Sequence, residues 1–430
     1  MNGQPNILWI VTTQWRAQAC GYAGDPNART PCLDALTAES INFSQAVTPH
    51  PFGPFARAAL LTGVPSPGNG VRDYFDPLPP GARTIAHELG ERGYATAFFG
   101  KWHLWKRDPD VLLVGEGHAK IVVPPEARGG FEFWEGFESG FLLHDPWLHG
   151  TRLEQPKKFE GYQADVLGER AARWIADLGL RTVDSAIRNP KSKIRNAPKP
   201  WFCVVSLEAP HPPYDAPVVE VEPRDPGEII LPANVPRGGE IEAKVRRELA
   251  GYYAHIEATD RAIGRLLGRL GRENAVVVFT SVHGDMHGAH GLFRKGWPHE
   301  ESIRVPLLVR GAGNRRWVMG DGWKGTSDAA VSLLDVPQWT LAWAEGRQLK
   351  TSKPEAALQC ISMPSVVRLP HQCERAWRGV RSRERKLAFN ADGSPWLFFD
   401  LARDPLELHN LVGETERAEE MAALRAQIKF

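Results

Sequence analysis

Asn6-Ile7-Leu8-Trp9-Ile10-Val11-Thr12-Thr13 is the stretch on which the fold turns. Its apolar run lacks the alternation of a half-exposed strand, so it reads as a strand buried on both faces, and the threonine pair marks a loop at its carboxyl end. The same grammar recurs along the chain. Residues 94–99 lead into Gly100-Lys101-Trp102-His103, residues 201–207 into His211-Pro212-Pro213-Tyr214, and 275–280 into Ser281-Val282-His283-Gly284-Asp285. Helical patterns lie at 56–62, closed by Gly63, and at 85–92, 161–184 and 242–270; another helix starts with Thr30 as N-cap and Pro31 in the first helical position. Buried strands alternating with helices build an α/β fold, a large, mainly parallel sheet sandwiched by helices. Such sheets bind ligands beyond the strand carboxyl ends, where Thr13, Lys101, His211 and His283 fall.

The 430 residues divide into an α/β domain over 1–345 and a subdomain over 346–430. In the second part, short strand patterns at 377–381, 386–389 and 396–400 and a helical pattern at 414–427 predict a small antiparallel sheet with a terminal helix. Residues 104–156 are rich in Gly, Pro and aromatics with little periodicity, and are expected to form an insertion that covers the site. The basic stretch 188–195 reads as a solvated loop.

Lys and Arg total 52 against 51 Asp and Glu, so no overall field draws the chain to nucleic acid or an anionic membrane. The longest apolar runs have strand length, well below a membrane span. Met1-Asn2-Gly3-Gln4-Pro5 carries no secretory pattern, and a cytoplasmic location is expected. Five scattered cysteines indicate neither a disulfide framework nor a zinc site.

Several segments follow one another in a telling order: Pro5-Asn6-Ile7-Leu8; Arg57-Ala58-Ala59-Leu60-Leu61-Thr62-Gly63; Gly93-Tyr94-Ala95-Thr96 through Gly100-Lys101-Trp102-His103-Leu104; Pro210-His211-Pro212-Pro213-Tyr214; Phe279-Thr280-Ser281-Val282-His283-Gly284; Lys295 with Glu300-Glu301-Ser302-Ile303-Arg304-Val305-Pro306; and Asp404-Pro405-Leu406-Glu407-Leu408-His409-Asn410-Leu411. Together they resemble the sulfatase branch of the alkaline phosphatase superfamily, which includes arylsulfatases, choline sulfatases and phosphonate monoester hydrolases. The resemblance implies an alkaline-phosphatase-like fold and hydrolysis of sulfate or phosphate esters by a formylglycine, made from Cys or Ser, beside a carboxylate-bound divalent cation. The matching positions depart from that pattern. Gly53, or Phe52 if one residue is inserted, stands where the Cys or Ser belongs; Thr13 replaces the carboxylate before Gln14, and Val282 the aspartate before His283. A hard cation needs several oxygen ligands, usually carboxylates, so neither metal nor other cofactor is expected.

The positions that grip the ester's anionic oxygens in the family are retained as Arg57, Lys101, His103, His211 and Lys295, with His283 left from the metal shell. Without balancing carboxylates, Arg57, Lys101 and Lys295 are expected to repel one another unless an oxyanion sits between them. The expected function is therefore metal-independent binding of a sulfate ester, less readily a phosphate ester, of a small intermediate in secondary-metabolite biosynthesis. Intact sulfate would leave by carbon–oxygen cleavage as a group on the substrate, for example an amine, closes a ring: a sulfate-eliminating cyclase or lyase rather than an ordinary sulfatase. Asp285 and Asp73 are the candidate bases. The alternative is a non-catalytic pseudosulfatase that binds an anionic ligand or scaffolds a complex. A homo-oligomer, or a hetero-oligomer with a smaller partner protein, is expected. His255, His287, His290 and His299 read as surface or supporting residues, and Trp102, Trp105 and Trp297 as packing.

Overall fold

The strand Asn6–Thr12 lies inside a ten-stranded sheet, with Ile7 through Ile10 at 0% exposure. The structure, a computed structural model, describes residues 4–188, 199–218, 220–271, 275–312, 324–348 and 358–428; most of the basic stretch 188–195 lies outside them. Trp201–Ser206 and Ala275–Ser281 flank the first strand in parallel, and Ala95–Lys101 and then Phe133–Phe137 continue the parallel order. These strands therefore end along one edge, and the loops that follow them meet there. On one side the sheet is completed by Leu307–Arg310 and Ser40–Phe43, both antiparallel to their inner neighbours, and by Gly325–Ser327. On the other it ends in the antiparallel strands Trp147–Gly150 and Leu153–Lys158. The aperiodic stretch 104–156 thus holds strands that extend the main sheet, which short, irregularly spaced apolar residues did not reveal.

Alternation along the first strand feeds two apolar layers. Ile7, Trp9 and Val11 pack with the helices Gly53–Thr62 and Asp335–Ala344, while Leu8 and Ile10 pack with Gln163–Arg188 and Gly239–Leu270. The buried Trp9 indole N–H donates to Thr340 Oγ1 at 3.2 Å, so it is not left unpaired in the apolar layer. Thr30, the expected cap of the helix Pro31–Ala38, makes no capping bond; its hydroxyl accepts from the Gly21 N–H at 2.8 Å instead. The long helix supplies the cap, because the Asp260 carboxylate accepts from Cys32 N (2.9 Å) and Leu33 N (2.8 Å). A carboxylate at a helix N-terminus meets the positive end of the dipole and satisfies orphan donors.

The C-terminal sheet is antiparallel, in the order Gln359–Met363, Trp377–Arg381, Arg385–Asn390, Pro395–Asp400, with the helix Ala418–Arg425 after it. Buried ions join it to the larger part. The Glu300 carboxylate accepts from Arg381 at 2.8 Å and Lys386 at 3.3 Å, and Lys386 also pairs with Glu407. Among the described residues no helix is long and apolar enough to cross a membrane, and Cys20, Cys32, Cys203 and Cys373 form no disulfide. Glu300→Ala would strand the buried Arg381 without its carboxylate and leave Lys386 with Glu407 alone, so it is expected to cost roughly 3–5 kcal/mol in urea unfolding; a loss below about 1 kcal/mol would show that the cluster does not join the two parts.

Candidate functional site

A cleft of about 690 Å³ opens where the parallel strands end, and Thr13, Phe52, Gly53, Lys101, His103, His211, His283 and Lys295 all line it. Each reaches it from a strand end or the loop or helix start beside it, which is why residues far apart in sequence converge. Lys101, the last residue of its strand, is buried; its ammonium donates to Glu208 Oε1 at 2.6 Å and lies 4.2 Å from the centre of the Phe141 ring. Burial pulls Lys101 down to about 8 against the attraction of Glu208. Lys295 donates to Gln14 Oε1 at 2.6 Å and lies 3.2 Å from His211 Nε2. Burial brings it down to about 7, with Asp285 opposing and Lys101 and Arg294 reinforcing the shift.

Three imidazoles complete the polar end. His211 stacks on Phe141 with ring centroids 4.3 Å apart, and its Nδ1 faces Pro212 O at 2.8 Å. His283 Nδ1 faces Gly284 O at 2.8 Å, which leaves Nε2 buried without a partner. Both ring nitrogens of His103 are likewise buried and unpartnered. Burial, reinforced by the neighbouring cations, holds all three well below the ordinary histidine range, so they are neutral near pH 7.

Arg57 does not line this cleft. Its guanidinium lies behind the floor, donating to Ser206 Oγ (2.6 Å), Lys101 O (3.2 Å) and Thr13 Oγ1 (2.7 Å), and so ties three strand ends together. The expected mutual repulsion of Arg57, Lys101 and Lys295 is also relieved differently. Lys101 has Glu208 as counter-ion, and among the described residues no carboxylate pairs directly with Lys295.

Asp285 and Asp73, the expected bases, do not line the cleft either. Asp285 is 0% exposed; it accepts from Tyr214 OH at 2.7 Å, from the Gln14 side-chain amide and from His287 N at 3.0 Å. Although burial opposes ionisation, His287, Arg294 and these donors hold Asp285 well below the ordinary carboxylate range, which makes it a poor proton acceptor. Its geometry suits it instead to orienting Gln14, because it fixes the amide nitrogen and so turns the amide oxygen toward Lys295. Asp73 is exposed and accepts from Tyr74 N (2.7 Å) and Ser365 Oγ (3.1 Å). His255, His287 and His299 are buried, His287 in a supporting position through its backbone N–H to Asp285, and Trp102 packs edge-on against Phe98.

The donor set does not fit the hard cation of the resembling enzymes. Thr13 Oγ1 is occupied by Arg57 and by Leu207 O, Gln14 Oε1 by an ammonium, and Val282 has no donor atom in its side chain. The carboxylate of Asp285 is turned behind Gln14 and Tyr214. Nor do Phe52 and Gly53 offer a Cβ heteroatom for oxidation. A Cβ at Gly53 would lie 2.9 Å from His103 Nδ1, so a side chain there would point at the imidazole now lining the cleft.

Sequence reading missed Glu208, Tyr214 as an Asp285 partner, Phe141, and residues 369–372, of which Leu369, Pro370 and Gln372 reach the cleft. Glu208 had a usable signal, since it lies just beyond the buried strand Trp201–Ser206 and before His211. Phe141 and 369–372 had none: Phe141 lies in the aperiodic stretch 104–156, and the place of 369–372 depends on how the subdomain docks.

The Sulfatase family model matches residues 5–346. An ulvan-active sulfatase of Formosa agariphila is 34% identical over 96% of this chain and 78% of its own length. An arylsulfatase of Clostridium perfringens is 27% identical, over 98% of this chain and 93% of its own. The crystal structure of the putative sulfatase yidJ from Bacteroides fragilis superposes with a TM-score of 0.80 at 22% identity, covering 99% of this chain and 94% of that one. With the family model over residues 5–346 and a 34% identical relative over 96% of its length, the chain belongs to the sulfatase family.

Proposed function

We propose that this protein binds the sulfate group of a small-molecule ester between the donors Lys101, Lys295 and His103, at the end of the cleft that His211 and His283 also line, and promotes its departure as intact sulfate. The observation that carries this reading is the combination at one cleft: paired ammonium groups and unpartnered imidazole nitrogens are present, while positions 13, 52, 53 and 282 hold neither carboxylate nor oxidisable side chain. The named functions of the relatives, ulvan-active sulfatase and arylsulfatase, support a sulfate ester as ligand. Attack on sulfur needs an activated nucleophile. Breaking the carbon–oxygen bond needs only that the departing oxygens be stabilised, and preorganised donors in a water-poor site contribute on the order of 3–4 kcal/mol each.

The bond electrons leave with the bridging oxygen as sulfate, and the carbon is taken by a lone pair of the substrate itself, for example an amine closing a small ring. Holding both reacting atoms on one molecule removes the cost of an encounter. The proton shed by the amine has an acceptor in the neutral, unpartnered imidazole of His103. One observation favours the second reading, a non-catalytic anion binder: neither Asp285 nor Asp73 reaches the cleft.

Tracing the bridging oxygen of a labelled alkyl sulfate separates these outcomes. Label retained in the released sulfate is expected; label left on an alcohol product shows sulfur–oxygen cleavage, and no release leaves the binding-only reading. Lys295→Ala is expected to weaken inorganic sulfate binding more than tenfold, about 1.4 kcal/mol, in calorimetry; unchanged affinity would place the anion elsewhere. An anion favours the charged forms of Lys101 and Lys295, whose protons are lost near about 8 and about 7 in the free protein. Sulfate binding therefore takes up protons above those values, and affinity is expected to fall by more than about tenfold between pH 6 and pH 9. A flat profile would mean that neither amine contacts the anion.

A further inference from the structure

Resting on that reading of the polar end, we infer that the cleft selects sulfate esters with an apolar carbon skeleton rather than sulfated sugars. A sulfate held by Lys101, Lys295 and His103 leaves most of the roughly 690 Å³ for the rest of the molecule, and one wall of that space is built by Phe52, Tyr74, Leu113, Val114, Leu369 and Pro370, with Gln372, whose Oε1 accepts from Lys295 N at 3.4 Å, beside them. Phe52 and Tyr74 are buried and meet edge to face, 5.4 Å between centroids at 90°, so this wall is rigid. The other side is apolar and open. Leu112 and Val114 are 84% and 60% exposed, and Val111 beside them 37%, which makes a strip of aliphatic surface continuous with the cleft through Leu113 and Val114. Large apolar side chains grouped at a cleft mouth mark a surface that is covered in use.

The charged residues reaching the cleft away from the sulfate end do not alter this. Arg294 is held by both oxygens of Glu248, at 2.7 and 2.9 Å, while Arg247 and Asp215 are exposed at the rim. A pyranose would bring several hydroxyls against Phe52, Leu113 and Val114, where each loses its water without gaining a partner. An alkyl or aryl skeleton gains by the same desolvation, by about 0.8 kcal/mol for each methylene fully buried.

The test compares inorganic sulfate, n-hexyl sulfate and D-glucosamine 6-sulfate on the intact protein by calorimetry and mutual competition. All three are expected to compete for one site, with hexyl sulfate binding at least tenfold more tightly than the sugar sulfate. Leu113→Ser with Val114→Ser, both in an exposed segment, is expected to remove that preference and leave inorganic sulfate affinity unchanged, which also shows that the variant is folded. If inorganic sulfate binds but the sugar ester equals or exceeds hexyl sulfate, the skeleton inference is overturned and the anion site stands. If neither inorganic sulfate nor either ester binds, the anion site itself is refuted, and the inference with it.

Discussion

Taking an ammonium group out of water is costly unless something in the interior answers its charge, and the site of this protein is organised by how it answers two of them. Lys101 has a carboxylate, Glu208, at 2.6 Å. Lys295 has no carboxylate partner among the described residues but two neutral acceptors, His211 Nε2 and the amide oxygen of Gln14, itself aimed by Asp285. The difference leaves one cation in the cleft that neutral acceptors stabilise only in part, and that an external oxyanion would stabilise fully. Strand ends, imidazoles and aromatic walls are arranged around that incomplete neutralisation.

The same balance accounts for the arrangement of side chains at the strand ends of this sulfatase fold. Where the family pattern has metal-binding carboxylates, this chain has uncharged Thr13 and Val282, while the ammonium of Lys295 occupies the Gln14 oxygen. Arg57 has turned from a candidate ligand grip into a brace, joining the ends of three strands through Thr13, Ser206 and the Lys101 carbonyl. A guanidinium with several fixed donors suits such bridging better than an ammonium would. Positive charge in the floor is thereby spent on structure, and the cleft itself presents amines and neutral imidazoles.

Much of the site was legible because chemistry and periodicity coincide at strand ends. Lys101, His211 and His283 were placed from sequence because buried apolar runs announce where a parallel sheet puts its loops, and His103 and Lys295 through the family resemblance; all five line the cleft. Partnerships were not legible. Nothing local to Asp285 shows that Tyr214 and Gln14 occupy its oxygens, and nothing local to Asp73 shows that it stays outside, bonded to Ser365. Thr30 makes the point in a helix: it has the right composition for a cap, yet Asp260, more than two hundred residues away, performs that role.

By itself the sequence determined the alternation of buried strands and helices, the C-terminal antiparallel sheet and the residue types at the strand ends. These follow from side-chain apolarity, period and identity, which are properties of single residues and their near neighbours. Tertiary structure alone decided which carboxylates meet which cations, that Arg57 lies beneath the floor, and that Leu113, Phe141 and Leu369 wall the cleft. Those outcomes depend on desolvation and on distances between chain segments far apart in sequence, quantities that exist only once the sheet has formed and the subdomain has docked.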